Sequence, residues 1–235
     1  MTKDCIMKTA YIDCYYGITP RKLLAAILDS GVSQPEAQMK KLGVKFRIKK
    51  SRKTDMIPCT VLDLECNAPL KPTNIGEITA FIRSSHVRQT IKNKLCRIFC
   101  SVAAAESRIH GEPAGEVHLF EVGHPAAILA ATGIIAGLEE LRINRIYASP
   151  LSLGSGKVRC SHGLLSVPVP ATRELTRGIP VLRARAGGEL TTPLGAAIVS
   201  LLARGFGEFP PFYAEKIYRG SAAGDLNPLV IYTGK

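Results

Sequence analysis

The segment from Pro125 to Leu138 constrains the fold of this chain most strongly. It reads Pro-Ala-Ala-Ile-Leu-Ala-Ala-Thr-Gly-Ile-Ile-Ala-Gly-Leu, has no charged residue, and runs directly into Glu139-Glu140. It is shorter than the roughly 20 apolar residues that span a bilayer. A helix that is apolar on every side must be buried. The run therefore predicts a central buried helix over 125–141 with the rest of the chain packed around it, and no membrane segment. With 235 residues and 46% hydrophobic side chains, the chain can bury such a core without disulfides.

Around this helix the pattern alternates between strands and helices. Thr9 to Tyr16 reads as a strand. Gly17-Ile18-Thr19-Pro20 turns into a helix, with Thr19 as cap and Pro20 in the first turn. Leu23, Leu24, Ile27 and Leu28 have helical spacing, and Ser33 is placed to cap a second helix at Pro35. Val44 to Lys50 and Thr60 to Cys66 predict a hairpin. Helix follows from about Ile75 to His110, then a break at Gly111 to Gly115. Arg145 to Ala148, Lys216 to Arg219 and Val230 to Thr233 read as strands. The expected class is α/β to α+β, with mixed sheets and packed helices. The Gly111–Gly115 segment is the expected boundary between an amino-terminal α/β region, 1–110, and a core region, 111–235.

The formal net charge is +12. Part of the excess sits in Lys45, Arg47, Lys49, Lys50, Arg52 and Lys53, where charged and apolar residues alternate as in a strand with one wet face. Such a field attracts anionic ligands. No helix-turn-helix, zinc-finger or aromatic RNA-binding pattern accompanies it, so nucleic acid is not the expected partner. Seven cysteines, with no C-x-x-C pair and no leader-like segment, point to free thiols in a reducing cytoplasm. Cys96 and Cys100 share a helix face, but two ligands do not make a metal site.

Three motifs carry residue types that chemistry needs. Val117 to Gly123 holds His118 and Glu121. Tyr147 to Gly163 holds Gly154, Gly156, Lys157, Cys160 and His162. Gly188 to Ala196 holds Glu189 and Thr192. Imidazole and carboxylate are common nickel and zinc ligands, so His118, Glu121 and His162 can hold one divalent metal. Structural histidines near turns explain the same residues. The Gly154-Ser155-Gly156-Lys157 run lacks Walker spacing and reads either as a hairpin turn or as an amide nest for phosphate. Thr192-Pro193 opens a helix whose N-terminus either is simply well capped or binds an anion.

Taken with Tyr11-Ile12-Asp13-Cys14, Ala104-Glu106-Ile109-His110-Gly111 and Ile217-Tyr218-Arg219-Gly220, these motifs resemble the LarC family of nickel insertion proteins. The resemblance implies nickel incorporation into pyridinium-3,5-bisthiocarboxylic acid mononucleotide, giving the nickel-pincer cofactor in lactate racemase maturation. It implies a CTP-dependent nickel chelatase of the lyase class, with CTP held by a smaller, separate carboxy-terminal domain. Read from the residues themselves, Gly154, Gly156, Lys157, Glu189 and Thr192 are the candidate ligand-binding positions; no catalytic residue is assigned. The family's Gly-Asp-Met turn reads Pro20-Arg21-Lys22 here, and its His-x-His-Glu reads His118-Leu119-Phe120-Glu121. Two expected aspartates are Ala126 and Ala130, and Cys66 to Asn74 has no His-rich loop. These departures leave two alternatives: a non-catalytic paralogue that carries a phosphorylated or metallated nucleotide, and a basic nucleic-acid-binding module.

Overall fold

The computed structural model describes residues 8–53, 57–68, 72–160, 163–182, 187–225 and 227–235. The element order begins β1 (Lys8–Asp13), α1 (Pro20–Leu28), α2 (Gln34–Lys40), β2 (Lys45–Lys53), β3 (Cys59–Asn67), α3 (Ile75–Ser84), α4 (Gln89–His110) and α5 (Pro125–Glu140). It continues β4 (Ile143–Ala148), β5 (Leu151–Ser152), β6 (Gly154–Ser155), β7 (Lys157–Cys160), β8 (Gly163–Ser166), α6 (Pro170–Leu175) and β9 (Val181–Leu182). The last elements are β10 (Gly188–Glu189), α7 (Pro193–Leu202), β11 (Gly205–Phe206), β12 (Ala214–Ala222) and β13 (Leu229–Gly234).

A seven-stranded mixed sheet has the order β11-β4-β1-β13-β12-β3-β2. β1 pairs parallel with β4 and antiparallel with β13, while β12 pairs parallel with β3. Strands from before and after the Gly111–Gly115 segment are therefore neighbours in one sheet, β1 lying between β4 and β13 and β3 beside β12. Three two-stranded sheets add β10–β6, β5–β9 and β7–β8. The chain is thus α+β with mixed sheets, as its pattern predicts.

Every residue of α5 from Ile128 to Leu138 is buried. The helix packs on α1, α2 and α4, and on β3 and β4 of the sheet. Its glycines let two helices approach closely: a Cβ on Gly137 would stand 2.2 Å from Ile27 Cγ2, and one on Gly133 2.8 Å from Leu24 Cδ1. Among the described residues no helix is long and apolar enough to cross a membrane.

Two local expectations change. β1 stops at Asp13 rather than Tyr16, because the Tyr15 amide donates to Asp13 Oδ1 (3.0 Å) and the Gly17 amide to the Cys14 carbonyl (2.8 Å), starting the turn early. Ser33 sits at the start of α2, but its side chain makes no cap bond. Glu140, at the end of α5, caps α2 instead, accepting from the amides of Ser33 (3.0 Å) and Gln34 (2.7 Å). The basic hairpin forms as expected, β2 antiparallel to β3. β2 lies at the sheet edge, where its lysines and arginines discourage edge-to-edge pairing. Lys49 and Lys50 pair with Glu65 and Glu36 at 3.0 and 2.8 Å.

Candidate functional site

Residues 117–124 join α4 to α5 as a turn, neither helix nor strand. Val117 and Leu119 are buried and anchor it. The Leu119 amide donates to the Thr73 carbonyl and the Gly123 amide to the Leu119 carbonyl, each at 2.6 Å. Gly123 is required by space: a Cβ there would lie 2.2 Å from the Pro72 carbonyl oxygen. Between these anchors, His118, Phe120 and Glu121 are exposed. The imidazole of His118 stacks on the Phe120 ring, with centroids 5.0 Å apart and planes 9° from parallel.

One side of the turn borders a cavity of about 210 Å³, lined by His110, His118, Glu121, Arg159, Cys160 and Glu189 among others. His110 lies 3.5 Å from Glu106, one turn earlier on α4, and Glu106 also lines the cavity. Glu189 belongs to β10 and pairs across to Gly154 of β6. Its Oε1 is buried and has no hydrogen-bond partner among the described residues. Burial, and then the negative charge of Glu121, push the Glu189 carboxyl up to about 7. A carboxylate whose proton affinity is raised by a neighbouring negative charge also favours a cation beside it.

The other side borders a cavity of about 650 Å³ that shares Phe120, Glu121, Val122, Glu189 and Pro193 with the first. Three helix N-termini line it: Thr19 and Pro20 of α1, His124 and Ala126 of α5, Thr192 and Pro193 of α7. Each is internally capped. Thr19 Oγ1 accepts from Lys22 N (3.2 Å), His124 Nδ1 from Ala126 N (3.2 Å), and Thr192 Oγ1 from Gly195 N (3.2 Å). None has an acidic residue in its first turn. The positive ends of three helix dipoles therefore stand around one space, opposed only from its wall by Glu121 and Glu189. Two hydrogen bonds join the segments that lead into α1 and α7: Thr192 N to Ile18 O (3.2 Å) and Ile18 N to Thr191 Oγ1 (3.4 Å). Arg21, Ala126 and Ala130, where the resemblance leads one to expect carboxylates, all line this second cavity.

Of the expected site residues, His118, Glu121 and Glu189 meet at the first cavity, and Thr192 joins Glu121 and Glu189 at the second. His162 lies outside the described residues. Gly154, Gly156 and Lys157 line neither cavity. Gly154-Ser155 is a short strand rather than a hairpin tip, and the hairpin is formed further on by β7 and β8. Its place in the structure is beneath Glu189. Among the described residues no three His, Cys, Asp or Glu side chains are grouped to hold a metal ion. Arg21, Glu106, His110 and Phe120 also line the site, and Arg159, expected with Lys157 to attract the phosphate, lines the first cavity rather than the second. The Glu106–His110 spacing at a helix end was the readable signal.

Fold and cleft define an α+β protein built around a two-chambered site, with a pair of carboxylates on the dividing wall and three helix N-termini beyond it. The family model described as nickel insertion protein matches residues 10–231. The chain belongs to the nickel insertion protein family. A protein of Dictyoglomus thermophilum bearing a nickel insertion protein's name is 37% identical across 97% of this chain and 61% of its own length. The pyridinium-3,5-bisthiocarboxylic acid mononucleotide nickel insertion protein of Desulfitobacterium hafniense is 35% identical across 94% and 56%. That of Geobacillus kaustophilus is 34% identical across 94% and 57%. The chain thus spans less than two thirds of these curated relatives. No solved structure matches.

Proposed function

We propose that this chain carries the nickel- and substrate-handling part of a protein that inserts nickel into pyridinium-3,5-bisthiocarboxylic acid mononucleotide. One observation carries the reading: the Glu121–Glu189 pair stands on the wall between the two cavities. A cation is favoured at that wall by the two carboxylates, while His118 lines the first cavity without being grouped with them, among the described residues, as a third ligand. A phosphate is favoured in the second cavity, where the amides of Arg21 and Leu194 occupy helix positions without an intrahelical acceptor. Nickel here is cargo, and the two thiocarboxylates of the substrate supply the sulfur donors that complete its coordination. Loose holding by the protein suits delivery, because a closed cage would retain the ion.

In this reading CTP is used by a separate carboxy-terminal domain, in the portion of the relatives outside the match. The product serves lactate racemase maturation, and the activity is a lyase-type nickel chelatase. The six described cysteines are all free thiols, which supports a cytoplasmic setting. The test is calorimetric titration of nickel with and without the bisthiocarboxylate mononucleotide. The mononucleotide should strengthen nickel retention, and Glu121→Gln with Glu189→Gln should abolish that gain. Retention indifferent to both the substrate and the two carboxylates would remove the basis of the reading.

A further inference from the structure

We infer that Phe120 is the platform on which the planar, cationic pyridinium ring of the substrate stacks, with the ring spanning the wall between the two cavities. This rests on the proposed substrate class. Phe120 is 51% exposed, although Leu119 beside it is 2% exposed. A large apolar ring held in water by a turn anchored at Leu119 and Gly123 gains nothing for folding. Its position gives it another use, since it lines both cavities, as do Glu121 and Glu189. The imidazole of His118 lies flat against one face and holds the ring's orientation. The surface that remains is the negative face of an aromatic quadrupole, which attracts a cation and prefers a flat one.

The arrangement also fits the ligand's length. A mononucleotide has its charged ring at one end and its phosphate at the other. A ring on Phe120 places the substituents of the pyridinium beside His118 and the two carboxylates, where nickel is favoured. It sends the ribose phosphate into the second cavity toward Arg21 and Thr192. Phe120 is therefore a positioning and specificity residue, and it distinguishes a pyridinium nucleotide from other phosphorylated sugars.

The chain has no tryptophan, so Phe120→Trp introduces a single indole reporter. Binding of pyridinium-3-carboxylic acid mononucleotide and of ribose 5-phosphate is measured on the unaltered chain, on Phe120→Ala and on Phe120→Trp. The unaltered chain should prefer the mononucleotide by about twofold to fivefold, the range expected of one exposed cation–π contact. Phe120→Ala should erase that preference while leaving ribose 5-phosphate binding unchanged. In Phe120→Trp the indole fluorescence should be quenched by the mononucleotide and not by the sugar phosphate. If both ligands bind but Phe120→Ala keeps the preference, or the indole stays bright at saturation, the stacking inference is wrong and the proposed function stands. If neither ligand binds the unaltered chain, the proposed function falls and takes the inference with it.

Discussion

Glu189→Gln should stabilise this protein at neutral and alkaline pH and leave it unchanged in acid. The Glu189 carboxyl, ordinarily near 4.5, is pushed up to about 7, first by burial and then by Glu121. In the unfolded chain the carboxyl ionises near its ordinary value. Between those two values the folded state holds more protons than the unfolded one, so stability falls as pH rises. At 1.36 kcal/mol per pH unit, the full penalty above pH 7 is about 3 kcal/mol. Solvent reaches part of the side chain and screens the charge, which reduces the expected gain on substitution to about 1–2 kcal/mol. For a chain of this size that corresponds to roughly 2–4 °C in melting temperature per kcal/mol.

The assay is a series of thermal melts of the unaltered and Glu189→Gln chains from pH 4.5 to pH 8. The two curves should separate progressively with rising pH, the substituted chain melting higher. Glu121→Gln should act in the same direction by a smaller amount, since its charge is the second cause of the shift. Nickel should raise the melting temperature of the unaltered chain at pH 8 more than at pH 5, because a bound cation relieves the same repulsion. An equal difference at both ends of the pH series would show that the substitution acts through packing. A lower melting temperature for Glu189→Gln at pH 8 would show that the carboxylate is satisfied in the fold, and the account of the acidic wall would fail.

Gly137→Ala should destabilise by about 1–3 kcal/mol in urea titration, because the added methyl collides with Ile27. Helix propensity alone would favour alanine by about 1 kcal/mol, so a stabilising result would refute the close approach of α5 and α1. Lys22 is fully buried, and its Nζ lies 2.7 Å from Asp225 and donates to the Tyr16 carbonyl at 2.9 Å. Asp225→Ala strands that charge and should cost on the order of 3 kcal/mol, more than Lys22→Met; the reverse order in denaturant melts would count against the pairing. Arg21→Glu should weaken mononucleotide binding at least tenfold at low salt and less at high salt, as charge screening requires. Affinity independent of both the substitution and salt would move the phosphate out of the second cavity.

What could be read from the sequence was what local chemistry decides. The α5 helix was legible because it is apolar around its whole circumference, and no edge or surface helix tolerates that. Thr19-Pro20 and Thr192-Pro193 were legible because cap and first turn lie within three residues of one another. Ser33 misled for the complementary reason: the group that caps α2 belongs to Glu140, 107 residues away. The order of the large sheet was equally non-local, since β1 takes its partners from β4 and β13 far along the chain. His118, Glu121, Glu189 and Thr192 were picked out as residue types, yet nothing in their spacing said that Glu121 and Glu189 line the same two cavities. Phe120 and Arg21 were visible only as departures from a pattern, and their meaning came from the cavity they line.

The departures at Arg21, Ala126 and Ala130 line one cavity, and that location decides how they act. Three helix N-termini already make the second cavity favourable to anions. Further carboxylates there would add to the negative charge that Glu121 and Glu189 already bring to its wall, whereas one arginine and two alanines add none. The carboxylates that remain, Glu121 and Glu189, stand on the dividing wall, where they favour a cation without opposing a phosphate deeper in. Charge in the cleft is therefore separated along its length, positive beyond the wall and negative on it. In the proposed substrate the pyridinium ring itself is cationic and the phosphate anionic, and the two anionic thiocarboxylates on the ring meet the acidic wall through the nickel ion. Losing acidic residues from the second cavity weakens any capacity to hold a bare metal ion there, while sharpening the orientation in which such a nucleotide presents its ring to Phe120, His118 and the two carboxylates.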